Sequence, residues 1–354
     1  PPPPPPPFFF NDTATTEIYF FYVKESIAIY TPDRSMVLEA PLAISHLENP
    51  AQRTIKADIR KLQITPTGLK QLSEWVPNGK ISISPYLQAI GTLEATGALS
   101  YRPQYLKSHL NLHTDLGSLA VSGSFAKGNE IEAEVHTPGF QLGKLAGREE
   151  QFGETAFDLS GKGLLRSGAY PALLLQGTIG RFSYNHYDYH DITVDVDYRK
   201  GGFAGNVSIN DPHLALTTKG EFNLHSSTPY IKAEASVRHL APHALALTSK
   251  YAGTVFQGNL QADFQGHNIE NMEGLISLND FCMSTSEENY TLGPICFKAT
   301  NEPGKRNLSL HSDFLHAEME GDFRLGTLIA HSRKLLHAYI PSFVKTPQIG
   351  RAHV

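Results

Sequence analysis

The sequence predicts an all-β protein, an elongated antiparallel β-meander with a few short helices, and three observations predict it. Apolar and polar residues alternate with period two from about residue 17 to 328. The joints between alternating runs are short and carry Gly, Asp-Pro, Ser-Ser-Thr-Pro and Pro-Gly, which turn a chain because glycine reaches positive φ and proline cannot continue a ladder. The composition, 29 Gly, 23 Pro, 19 Phe and 15 Tyr against one Trp and four Met in 354 residues, favours strands and turns over long helices.

In chain order, the opening PPPPPPPFFF has no amide donors over its prolines and reads as polyproline II. Residues 1–16 are therefore set aside as a linker or unassigned segment. The alternating body, 17–328, begins with SIAIYT, MVLEAPLAISHL and TIKADIRKLQI, and continues through GTLEATGALSY, HLNLHTDLGSLAVSGSF and EIEAEVHT. It goes on through DITVDVDY, GNVSI, LALTTKGEF and YIKAEASVRHL to NLSLHSDF and EMEGDFRL. That is roughly fifteen strands or more, joined by turns short enough to require antiparallel neighbours. TPTGLKQLSEWV (65–76) has helical spacing behind Thr65 and Thr67, and APHALALTSKYAG (241–253) has room for one turn. LIAHSRKLLHAYIPSFV (328–344) is amphipathic and stops at Pro341, so 329–354 is read as a helix and tail.

The alternation is one-sided. Phe203, Gly205, Val207 and Ile209 share a face, Leu214, Leu216 and Phe222 continue it, and so do Ile231, Ala233 and Val237. Asn206, Lys219, Glu221, Lys232 and Glu234 fall on the other. A closed sandwich produces the same pattern. The persistence of short turns of one kind, without long return connections, favours a curled, open meander.

Little in the chain points to catalysis. HExxH, GxSxG, the phosphate-binding GxxxxGK[ST] and a strand-borne GxGxxG are all missing from the sequence. YNHYDYHD (184–191) would put His186, Asp188 and His190 on one strand face as a metal set, but a hairpin with solvated His and Asp outward and Tyr187 and Tyr189 inward explains it without a metal. Asp195 and Asp197 share a face as paired carboxylates or as an ordinary charged outer row. Cys282 and Cys296 flank a hairpin and form a disulfide only if the register sets them opposite one another. With 30 Lys and Arg against 35 Asp and Glu, a net charge of -5 and no basic block, nucleic acid is not an expected partner. No run of 18 apolar residues occurs.

Several motifs carry a resemblance. They are Asp211-Pro212-His213-Leu214, Gly220-Glu221-Phe222, Ala244-Leu245-Ala246-Leu247, and Gly266 through Ile269 to Gly274, with LHTDLGSLAVSGSF and HTPGFQLGKLAG upstream and SDFLHAEMEGDFRLGTL and KLLHAYIPSF downstream. In order and spacing these resemble the Bacteroidetes-type TamB translocation and assembly family of the AsmA-like superfamily, over roughly residues 50 to 345. The resemblance implies a sheet curled into a taco-like groove, non-enzymatic and without cofactor, that conducts phospholipids between inner and outer membrane in the bacterial periplasm. It implies that this chain is a piece of a longer envelope protein. The missing parts would be an N-terminal helix in the inner membrane and a C-terminal domain that meets an outer-membrane β-barrel. The ten residues from Phe203 to Val237 named above would then line the groove. The other readings are a structural β-solenoid scaffold for outer-membrane protein assembly, its inner face filled by its own side chains, and a β-helix carbohydrate-active enzyme with converging carboxylates.

Overall fold

A computed structural model describes residues 23–75, 85–164, 172–267, 271–302 and 305–322. The linker expected at 1–16 and the amphipathic helix expected at 329–354 lie outside the described residues. The described chain forms one 19-stranded antiparallel sheet. Strands pair with their neighbours in chain order from β1 (Val23–Tyr30) to β15 (Glu273–Ser284). The far end of β15 then takes β16 (Asn289–Leu292), its near end takes β17 (Ile295–Glu302), and β18 (Lys305–His311) and β19 (His316–Gly321) complete the sheet. Among the described residues β1 bonds only β2 and β19 only β18, so the sheet is open.

Successive hairpins place all connections at two ends. One end carries the tight turns, such as Arg102–Tyr105 between β4 (Leu93–Arg102) and β5 (Tyr105–Thr114), and Arg199–Gly202 between β10 (Tyr187–Arg199) and β11 (Gly202–Asp211). The other end carries the helices. There α1 (Pro66–Trp75) follows β3 (Thr54–Ile64), α2 (Pro85–Ala89) precedes β4, and α3 (Leu142–Ala146) joins β7 (Glu130–Gln141) to β8 (Phe152–Leu164). Thr65 caps α1, its hydroxyl accepting from the Gly68 amide at 3.2 Å while donating to the Ser35 carbonyl at 3.1 Å. Between β13 (Tyr230–Leu240) and β14 (Val255–Gln265), Leu245 N bonds Ala241 O at 3.1 Å and makes the single helical turn expected there. Neither α2 nor α3 is expected from the sequence; α3 is one short turn ended by Gly147 at φ 64, where the Arg148 amide bonds Gly143 O at 2.8 Å.

A line of bulges crosses the strands at nearly one height. Registers shift at Glu39/Leu42, Ile59/Leu62, Ser118/Ala120, Thr137/Phe140, Ala215/Leu216, Val237/Leu240 and Gln257/Asn259. Asp280 lies in the last of these shifts at φ 53, and Asp191 has φ 50 without a shift, a conformation that aspartate tolerates. Each bulge bends its strand, and a row of bends folds the helix-bearing end of the sheet over. Burial follows the fold line. Ala40, Ile59, Ala95, Thr137, Tyr189 and Ile192 are buried beside it, and Leu245 is wholly buried, with Ile209, Leu214 and Leu240 around this cluster. The curled meander is thus built from aligned bulges and a folded lip.

Candidate functional site

The strand registers join the inward residues into rows that run across the sheet. One begins at Ile59, passes Leu110, Val121 and Leu159, crosses Val194 and Val207, and ends through Leu260 and Leu278 at Ile295. Fourteen strands contribute, and at the strand spacing of about 4.8 Å the row is about 60 Å long. Its only polar side chain is the hydroxyl of Thr218. The next row toward the tight turns carries small residues in two groups, Gly123, Ala133 and Gly161, then Gly205, Gly220 and Ala233, separated by Leu175 and Val196. Beyond it lies a bulky row that includes Tyr101, Leu106, Phe125, Leu173, Tyr198 and Phe203 and continues to Phe222 and Ile231. No charged residue stands in these three rows from β3 to β17.

All ten residues expected to line a groove fall on this one face. Phe203 opposes Phe222, Gly205 opposes Gly220, and Ile209 opposes Leu216. Phe222, Gly220 and Leu216 in turn oppose Ile231, Ala233 and Val237, and Leu214 opposes Leu240. A Cβ on Gly220 would stand 2.6 Å from Lys232 O and 2.9 Å from the Ala233 Cβ. The floor is therefore smooth because the backbones leave no room for a side chain there.

Among the described residues no second sheet covers the face. Phe203 and Phe222 are each 40% exposed and Ile231 is 44% exposed, whereas the inner face of a sandwich core is buried. The rings of Phe203 and Phe222 stack at 5.0 Å, with Tyr198 at 4.7 Å from Phe203, so this rim is continuous rather than a scatter of single residues. Toward the last strands the rim closes. Phe264, Ala299 and Leu308 of the same row are buried, with Met272 and Met319 packed on them.

The opposite face is polar. Lys162 pairs with Glu132 at 3.0 Å and Lys232 with Asp263 at 3.6 Å, both solvent-exposed and worth little individually. Asp195 accepts from Gln176 at 3.1 Å and Asp197 pairs with Arg199 at 2.7 Å, so the two carboxylates lie engaged on this outer face, away from the apolar rows.

At the folded lip, one polar group is built into the apolar face. The Asp211 carboxylate has no accessible surface and accepts from the Tyr187 hydroxyl, the His190 amide at 3.0 Å and the His213 amide at 2.8 Å. The ladder between β10 and β11 begins at Ile192, so His190 has no partner on β11, and the Asx turn of Asp211-Pro212 delivers a carboxylate to it. Burial opposes ionisation of Asp211, but these donors outweigh it and hold the carboxyl below its usual range. Burial first, and the bond to Asp211 second, push the Tyr187 phenol up.

Two alternatives weighed on the sequence do not form in the structure. His186 sits with Asn185 in the two-residue turn at φ 65 and 49, Asp188 is bonded by Ser183, and His190 turns to Asp211, so the three do not converge on a metal. Cys282 opposes Gln257 and Thr291 whereas Cys296 opposes Ser277 and His311, and both thiols are free. The split of β15 between two partners displaces them along the sheet, and no bridge can span that offset. The aligned bulges and the Leu245 plug have no sequence signature in hydrophobic alternation. The chain matches no family model, no curated protein and no solved structure.

Proposed function

We propose that this sheet conducts phospholipid acyl chains along its apolar face, as part of a periplasmic envelope protein of the TamB type that supplies the outer membrane. The observation that carries the reading is the uncharged, uncovered apolar surface about 60 Å long, bounded by a folded lip on one side and a bulky rim on the other. An acyl chain of about 16 carbons costs on the order of 12 kcal/mol to expose to water, at about 0.8 kcal/mol per methylene. A trough that receives the chain removes most of that cost. The small residues Gly205, Gly220 and Ala233 of the middle row offer contact without a deep pocket or a charged anchor. Such a surface holds a chain weakly at many equivalent positions, which transport along its length requires. The inner-membrane anchor and the outer-membrane barrel partner belong to the same proposal and rest on the sequence resemblance.

A photo-crosslinking residue at Val207 or Leu216 tests it, with the same residue at Lys219 on the polar face as control. Phospholipid adducts are expected at the inward positions and not at 219. Envelope fractions without adducts at any inward position would sink the proposal.

A further inference from the structure

On the last described hairpin, next to Leu310 and Ala317, His311 of β18 and His316 of β19 oppose each other directly. Both are exposed, and their Nδ1 atoms face each other at 2.9 Å with the rings at 78°. Two neutral imidazoles can meet this way only if one Nδ1 carries the proton and the other accepts it. The same two lone pairs converge on one point if that proton moves to the solvent-facing Nε2.

We propose that His311 and His316 form a chelating site for a divalent transition-metal ion. With metal–nitrogen bonds of about 2.05 Å, two cis ligands at 90° stand about 2.9 Å apart, whereas a tetrahedral angle requires about 3.3 Å. The observed 2.9 Å is the length of the hydrogen bond between the rings and does not itself discriminate; two imidazoles with water in the other positions suit tetragonal Cu2+ or Ni2+, whereas Zn2+ sites are built from three or four protein ligands. Water fills the other positions, because the nearest turn carboxylate, Asp313, sits against Gly293, and no set of three ligating side chains forms among the described residues. Cys296, the cross-strand neighbour of His311, lies outside the pair. Binding moves one proton from Nδ1 to Nε2 and changes no oxidation state. It adds a cross-strand tie between β18 and β19, beside the ladder bonds, the Asn307–Glu318 hydrogen bond and the Lys305–Glu320 ion pair.

Equilibrium dialysis of the full chain against Ni2+ tests the site, comparing the native sequence with H311Q, H316Q and C296S. One equivalent is expected to disappear in each histidine variant and to remain in C296S, with Zn2+ binding at least tenfold more weakly. Equal stoichiometry in all four proteins would overturn the proposal. Should a glutamine variant fail to fold, carbethoxylation of the native protein decides: Ni2+ should protect His311 and His316 together, and modification unaffected by Ni2+ overturns the site.

Discussion

Replacing Asp211 by Asn changes one atom of the polar group beneath the folded lip. The asparagine oxygen retains the Tyr187 hydroxyl and the His213 amide, but its NH2 meets the His190 amide, a donor facing a donor. Two bonds to a charged acceptor become neutral, at roughly 1 kcal/mol each, and one buried amide loses its acceptor, at about 1–3 kcal/mol. The expected local loss is about 3–5 kcal/mol, or roughly a 150- to 5,000-fold acceleration of hydrogen exchange at the His190 and His213 amides. The effect has a pH signature. The folded carboxyl is held below its unfolded value, so its contribution is complete above about pH 4 and is lost as pH falls through the lower folded value. Native and variant proteins should therefore differ at pH 7 and converge toward pH 2. Tyr187 has the opposite sense: its phenol is raised, so its contribution holds below about pH 10 and is lost as pH rises further. In the variant the Tyr187 titration should move back toward the usual tyrosine range. Less than a threefold change in exchange at both amides, or a difference that does not narrow in acid, would refute the reasoning.

Three further outcomes are expected. Leu245→Ala empties a wholly buried site and should cost about 2–5 kcal/mol in denaturant unfolding, with exchange quickening along the folded lip; an unchanged midpoint would remove the plug from the account. Gly220→Val forces a side chain into the Lys232 carbonyl and Ala233, and a loss of about 1–3 kcal/mol is expected, whereas Lys219→Val on the polar face should shift stability by less than about 1 kcal/mol. Denatured under non-reducing conditions, the protein should take two alkyl groups, one at each of Cys282 and Cys296; a mass two hydrogens lighter without alkylation would restore the bridge.

The facing of the sheet was legible because the period of a strand is two: Val207 inward and Lys219 outward follow from alternation alone, and every one of the ten groove positions keeps that side. The helix at α1 was legible from Thr65 and the spacing behind it. What alternation cannot carry is a change of phase. Asp280 looks like an ordinary outward residue, yet it lies in a bulge, and bulges convert a flat meander into a bent one. His186 likewise occupies a strand-like position in the alternation but is consumed by the turn. The cysteine register depended on β15 changing partners halfway along its length, a tertiary event with no local mark. Nothing in the local sequence Ala244-Leu245-Ala246-Leu247 separates the wholly buried Leu245 from Leu247, which is half exposed; the packing against Tyr189 and Ile192 decides it.

Because the strands from β1 to β14 bond only their sequence neighbours, the sheet works as a ruler with discrete graduations. A whole added hairpin advances the surface by about 10 Å and restores strand direction. A single added strand reverses direction and sends the next connection to the wrong end. Lengthening by duplication should therefore proceed in pairs of strands, and a span matched to a fixed gap can be tuned only in steps of that size.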